Sequence, residues 1–269
     1  MSRRVQLTLP WVLAPVLLAG CSGASDGAAA RKSEQAGKQG TPSATATEPG
    51  AAKTVDVIKP DPARVPKTRA AALDLIHRVI ADPDNFGPGV VKRTPYESDP
   101  ATWPVLGEDC VWQQKKPGAD VLATLTRSFE VPASGSKGPI RLAAVITVHR
   151  TRADARWEMA ESIEETMRCP TQQLRDGEQI GSMMAGALFG GEGNQTNSED
   201  TLDEMGKYQS TELGGPYHYV WLQAQALQFT VAVTGKGAKG RTQQEIDGPV
   251  ARAQAMMLVN LASAVEKRS

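Results

Sequence analysis

The residues best placed to do chemistry sit on one short alternating run. Tyr217, Tyr219, Trp221 and Gln223 fall on one side of a strand, and Val220, Leu222 and Ala224 fall on the other. The aliphatic side is the natural core, which leaves the aromatic side to face a cleft. An earlier strand offers Arg141, Thr147 and His149 on its polar face. Stacking surfaces with a few polar anchors are the chemistry of a small-ligand site. The competing arrangement packs these aromatics beneath a loop or a third layer.

Other combinations are weaker. Gly235-Lys236-Gly237-Ala238-Lys239-Gly240-Arg241-Thr242 matches a phosphate-binding loop except at Arg241, where a lysine must reach the outer phosphates. It reads more simply as a solvated basic connection. His77, His149 and His218 lack the close spacing of a metal set. No Gly-x-Ser-x-Gly elbow is present, so serine hydrolysis is not signalled. Glu161, Glu164 and Glu165 read as a solvated helix stripe. Gly181 to Asp200 carries Met183, Met184, Leu188 and Phe189 among glycines, the composition of an adaptable loop. No cofactor is implied.

The chain carries 30 basic and 30 acidic residues, so no net field gathers nucleic acid. Its N-terminus has another character. Arg3 and Arg4 precede a mostly apolar run from Val5 to Ala19, followed by Leu18-Ala19-Gly20-Cys21. A basic start, a short apolar stretch and small residues before a cut describe a secretory signal over residues 1–20. Leu-Ala-Gly-Cys resembles the processing site of bacterial lipoproteins. That resemblance implies cleavage before Cys21 and a diacylated thiol there, with membrane attachment through the lipid on the extracytoplasmic side. Gln6 interrupts the pattern that would follow a twin-arginine signal, and either export route stays open.

With Cys21 taken by lipid, Cys110 and Cys169 remain as an even pair in a compartment where disulfides persist, and we expect them to be bonded. Two separate buried thiols are the alternative. Residues 21–66 contain no aromatic side chain and are rich in Ala, Gly, Ser, Thr, Pro, Lys and Glu, which predicts a disordered tether. Residues 67–269 suffice for one globular domain.

Three segments of that domain have helical periodicity. Thr68 can cap the first, with Leu73, Ile76 and Ile80 on one face; Thr151 or a neighbour starts the second, with Ala153, Trp157, Ala160, Ile163 or Glu164, and Met167 on its apolar stripe. The third runs from about Pro249 with Ala253, Met257, Leu261 and Val265 inward. Strands are expected at Leu122 to Val131, Ile140 to Arg150, Leu202 to Thr211, Tyr217 to Ala224 and Leu227 to Thr234. The order predicts an α+β fold: a curved antiparallel sheet with about three helices on one face and the other face more open.

Trp103-Pro104, Cys110-Val111-Trp112, Cys169-Pro170 closing a helix, and Gln228-Phe229-Thr230-Val231-Ala232-Val233 before a C-terminal helix resemble the extracellular sensor domains of mycobacterial PknH-type Ser/Thr kinases. Related domains also occur in actinobacterial lipoproteins. The resemblance covers about Lys67 to Ser269 and implies a curved sheet lining a cleft for a small ligand. The chain departs from it in lacking a second cysteine pair and a kinase.

These readings converge on a non-catalytic lipoprotein that binds a small ligand or an envelope protein. Tyr217, Tyr219, Trp221, His149 and Arg141 are the candidate binding residues. A cell-envelope enzyme or a purely structural lipoprotein are the alternatives.

Overall fold

The computed structural model describes residues 57–186 and 197–267, all within one compact unit spanning Lys53–Ser269. Cys21, Leu188 and Phe189 lie outside the described residues. In chain order the elements are α1 (Arg69–Val79), α2 (Pro83–Phe86), β1 (Val91–Glu97), β2 (Trp103–Leu106), β3 (Trp112–Lys115), β4 (Val121–Val131), β5 (Ile140–His149), α3 (Arg152–Arg168), β6 (Gln172–Arg175), β7 (Glu178–Gly186), β8 (Asp200–Ser210), β9 (Gly214–Ala226), β10 (Phe229–Lys236) and α4 (Gln244–Val265). Eight strands form an antiparallel sheet in the order β1-β4-β5-β10-β9-β8-β7-β6, with β2 and β3 as a separate hairpin. The α+β class, the curled antiparallel sheet and the single bridge Cys110–Cys169 agree with the sequence reading.

Alternation divides the sheet into an aliphatic face and a polar face. Leu125 and Phe129 on β4, Leu142, Ile146 and Val148 on β5, Val220 and Leu222 on β9, and Val231 and Val233 on β10 meet α1, α2 and α4 in the main core. The core extends upstream of Lys67. Ile58 is buried within it, and Pro60 bridges to Glu266 beyond the end of α4.

Local chemistry sets the helix ends. Thr68 accepts the Ala71 amide hydrogen at the start of α1. Thr151 and Asp154 cap each other reciprocally at the start of α3. The same exchange between Thr242 and Glu245 starts α4 ahead of Pro249, which therefore lies inside the helix. Gly235 and Gly237 let α4 close onto the sheet. A β-carbon on Gly235 would lie 2.7 Å from Ile246, and one on Gly237 would lie 2.8 Å from the His218 carbonyl. Arg241, the departure from a phosphate loop, donates to the Gly138 and Pro132 carbonyls and so ties the connection down.

Three elements differ from expectation. The β9–β10 turn is Leu227-Gln228, with Leu227 itself at φ 54°, so no glycine marks it; β9 runs longer than expected and β10 is shifted two residues onward. Gly181 to Gly186 belongs to β7, with Met183 buried and Met184 exposed. Most consequential is α3. Its Ala155, Met159 and Thr166 are buried, whereas Trp157 and Met167 are 67% and 78% exposed. The helix lies on the polar face of the sheet, opposite α1, α2 and α4, because it docks through polar chemistry.

Candidate functional site

The polar face is built by the second set of alternating residues: Arg141, Thr147 and His149 on β5, Tyr217, Tyr219, Trp221, Gln223 and Gln225 on β9, and Thr230, Thr234 and Lys236 on β10. The five candidate residues therefore share one face, yet they do not line one cavity. Arg141 and His149 lie at opposite ends of β5, roughly 27 Å apart at about 3.4 Å per residue. Tyr219 is buried and Tyr217 and Trp221 are half-buried, all packed with Ile180, Met183 and Tyr208 in a second, smaller core. The Tyr217 hydroxyl donates to the Leu213 carbonyl.

At the Arg141 end, charge is mutually satisfied. The Glu178 carboxylate accepts from Arg141 at 2.9 Å, from Lys236 at 3.3 Å and from Arg175, while Arg141 also donates to Glu212 at 3.0 Å. Burial alone would push the Glu178 carboxyl up, but Arg175 and Lys236 outweigh it and hold it at about 2. Arg93, Arg141 and Arg175 with Asp176, Glu178 and Glu212 line an open cleft of about 460 Å³. Its guanidinium and carboxylate groups are equal in number, so it has no strong preference for ligand charge.

The His149 end is different. Glu158 of α3 reaches under the helix and takes three donors: His149 Nε2 at 2.6 Å, Thr230 Oγ1 at 2.8 Å and Gln223 Nε2 at 2.9 Å. A carboxylate only accepts, so the imidazole hydrogen sits on Nε2, and in the neutral ring Nδ1 is left as an acceptor. His149 is 1% exposed, and its Nδ1 has no hydrogen-bond partner, with Asp120 Oδ2 3.9 Å away. A buried polar atom left in this state costs about 1–3 kcal/mol. Trp103 packs edge-on to the imidazole, with ring centroids 5.9 Å apart. Together Trp103, Asp120, His149, Asp154, Trp157, Glu158 and Glu161 enclose a cleft of about 270 Å³. Among the described residues no hydroxyl or thiol is hydrogen-bonded to His149, so the imidazole and carboxylate have no nucleophile in hand.

Further along α3 the acidic stripe turns inward. Glu204 of β8 is 7% exposed and accepts from Thr166 Oγ1 at 2.5 Å, and burial pushes its carboxyl up to about 7. Burial, together with Glu161, pushes Glu165 up to about 7 as well. Burial also raises Glu161, with the Trp157 indole N–H acting against it.

Cys110 and Cys169 fasten the loop beside this region to the end of α3, with an α-carbon separation of 5.5 Å. Trp112, two residues after Cys110, donates its indole N–H to Gln172, three residues after Cys169. Sequence reasoning placed His149 but missed Asp120 and Glu158, and read Trp157 as core. The available signal was the poverty of aliphatics on every face of α3, set against a strand face of Thr147, His149, Gln223 and Thr230.

No protein-family model matches the chain, and no curated protein matches it. Among solved structures, the extracellular domain of PknH from Mycobacterium tuberculosis is similar over 74% of this chain and 98% of that one, with a TM-score of 0.45 and 10% identity. At that level the likeness is distant, and it assigns no function.

Proposed function

We propose that the chain is a lipid-anchored extracytoplasmic protein whose domain binds a small ligand on the polar face of the sheet, without catalysis. Anchoring rests on Leu18-Ala19-Gly20-Cys21, and the Cys110–Cys169 bridge supports an oxidising compartment. Among the described residues no helix is long and apolar enough to cross a membrane; in this reading lipid on Cys21 supplies the attachment.

The single observation that carries the binding reading is the buried His149, whose Nδ1 is unpaired, in the lining of a cleft that two indoles share. Binding sites are concave, largely preformed and lined by aromatic side chains with a few unspent polar atoms. Arg141, Tyr217, Tyr219 and Trp221 serve this site from the rest of the face: the aromatics hold β9 against β8, and Arg141 anchors the far end of β5.

Native mass spectrometry of the detergent-extracted full chain tests both halves. The expected result is a diacylglyceryl addition on Cys21, and a solute adduct after incubation with envelope extract that Trp157→Ala loses. An unmodified Cys21 refutes the anchor. A chain that retains no solute, or one whose adduct survives Trp157→Ala, refutes the cleft.

A further inference from the structure

The chemistry of the His149 cleft specifies the class of ligand. Its wall carries four carboxylates, Asp120, Asp154, Glu158 and Glu161, and neither lysine nor arginine. Two are committed: Asp154 caps α3 and Glu158 holds His149, Thr230 and Gln223. Asp120, whose side chain is 51% exposed, and Glu161 retain free acceptor capacity toward the opening. An acidic patch alone would be an ordinary solvated surface. Here the independent observation is His149, almost completely buried, with Nδ1 unpaired, in the lining of the same cleft.

Apart from the Trp103 indole N–H, the unspent heteroatoms of the lining are acceptors, and two indoles flank them. Acceptors reject anions and neutral acceptor groups, whereas indole faces attract cations. A volume of about 270 Å³ admits a charged head and a short chain and little more. Among the described residues no cluster has the make-up of a metal site.

We infer that this cleft binds a primary alkylammonium group. One N–H donates to His149 Nδ1 and the others to Asp120 and Glu161, while the adjoining methylenes lie between Trp103 and Trp157. The inference rests on the binding reading above and adds the ligand's charge and donor pattern. The same head group belongs to free diamines and to lysine side chains of envelope peptides.

Isothermal titration of the full chain in detergent micelles, at constant ionic strength, decides between these. The probes are 1,5-diaminopentane, a capped lysine amide, 1-pentanol, pentanoate and magnesium chloride. Saturable binding of the two amines and none of the alcohol or magnesium is expected. Removing one indole face or one carboxylate, by Trp157→Ala or Asp120→Asn, weakens that binding by about tenfold. Both side chains are exposed, and unchanged melting temperatures confirm that the variants fold. Tighter diamine binding points to free amines, and tighter lysine amide binding points to peptide side chains; either outcome supports the inference. Alcohol binding as tight as amine binding, magnesium competing for the site, or amine binding indifferent to both variants overturns the ammonium class. If pentanoate binds in place of amines and Trp157→Ala abolishes it, the ammonium class fails while cleft binding stands. A cleft that takes up none of these probes at roughly 20 mM, a concentration that would reveal even millimolar affinity, overturns both.

Discussion

Glu204 makes this fold more stable in acid than at neutral pH, and the size of the effect follows from its surroundings. It lies on β8 across from Trp221 and beneath α3, and the Thr166 hydroxyl donates to it. Its carboxyl rises from 4.5 to about 7 in the folded chain, chiefly through burial, a gap worth roughly 3 kcal/mol. Between those values the unfolded chain has released its proton and the folded chain still holds it. The folded state therefore binds more protons, and stability falls as pH rises. The loss starts near the unfolded value and is complete above about 7. Glu204→Gln removes the titration while its amide oxygen still accepts from Thr166. In urea unfolding of wild type and variant at pH 4 and pH 8, the stability of the variant relative to wild type should rise by roughly 3 kcal/mol across that span. Groups common to both chains cancel in this difference. Glu165, which feels the Glu204 charge, adds to the rise rather than opposing it. A difference that stays flat with pH, or falls, would refute the argument that Glu204 is held in a desolvated site.

Three further outcomes follow from other parts of the fold. Glu178 behaves oppositely to Glu204: its lowered carboxyl contributes stability above pH 4.5 that is lost as pH falls toward about 2. Glu178→Gln should therefore cost roughly 2 kcal/mol at pH 7, allowing for solvent screening of its exposed Arg175 partner, and little at pH 2, as read by urea unfolding. Replacing Cys110 and Cys169 together by serine should destabilise the domain by about 4 kcal/mol, from the closure entropy of a 59-residue separation, and calorimetry that finds no change in melting would contradict it. Trp221→Ala removes a half-buried indole packed against the smaller core and should cost about 2 kcal/mol without weakening ligand binding at the His149 cleft, because Trp221 does not line it.

The sequence carried the aliphatic core well because a period of two or 3.6 reports burial directly. Leu125, Phe129, Leu142 and Ile146 on the strands, and Met257, Leu261 and Val265 on α4, are buried where alternation and helical spacing put them. The bridge followed from counting cysteines. The polar layer was harder, because periodicity assumes that burial is apolar. In α3 that assumption inverted the helix: Trp157, Ile163 and Met167 face out, and Glu158 faces in to three donors from β5, β9 and β10. The turn at Leu227 was equally hidden, since a side chain adopts there the positive φ usually left to glycine. Alternation placed the five candidate residues on one shared face, and the length of β5 alone separates Arg141 from His149.

The ring nitrogens of His149 test the central claim most directly. In nitrogen-15 spectra of the full chain, the His149 Nε2 should carry the hydrogen it donates to Glu158. Titration with 1,5-diaminopentane should then move His149 Nδ1 saturably. His77, which lies outside the cleft, and His218, which is paired with Asp247 at 2.6 Å, should stay fixed. A His149 signal that does not respond, or three histidines that shift together, would contradict the assignment of this cleft as the binding site.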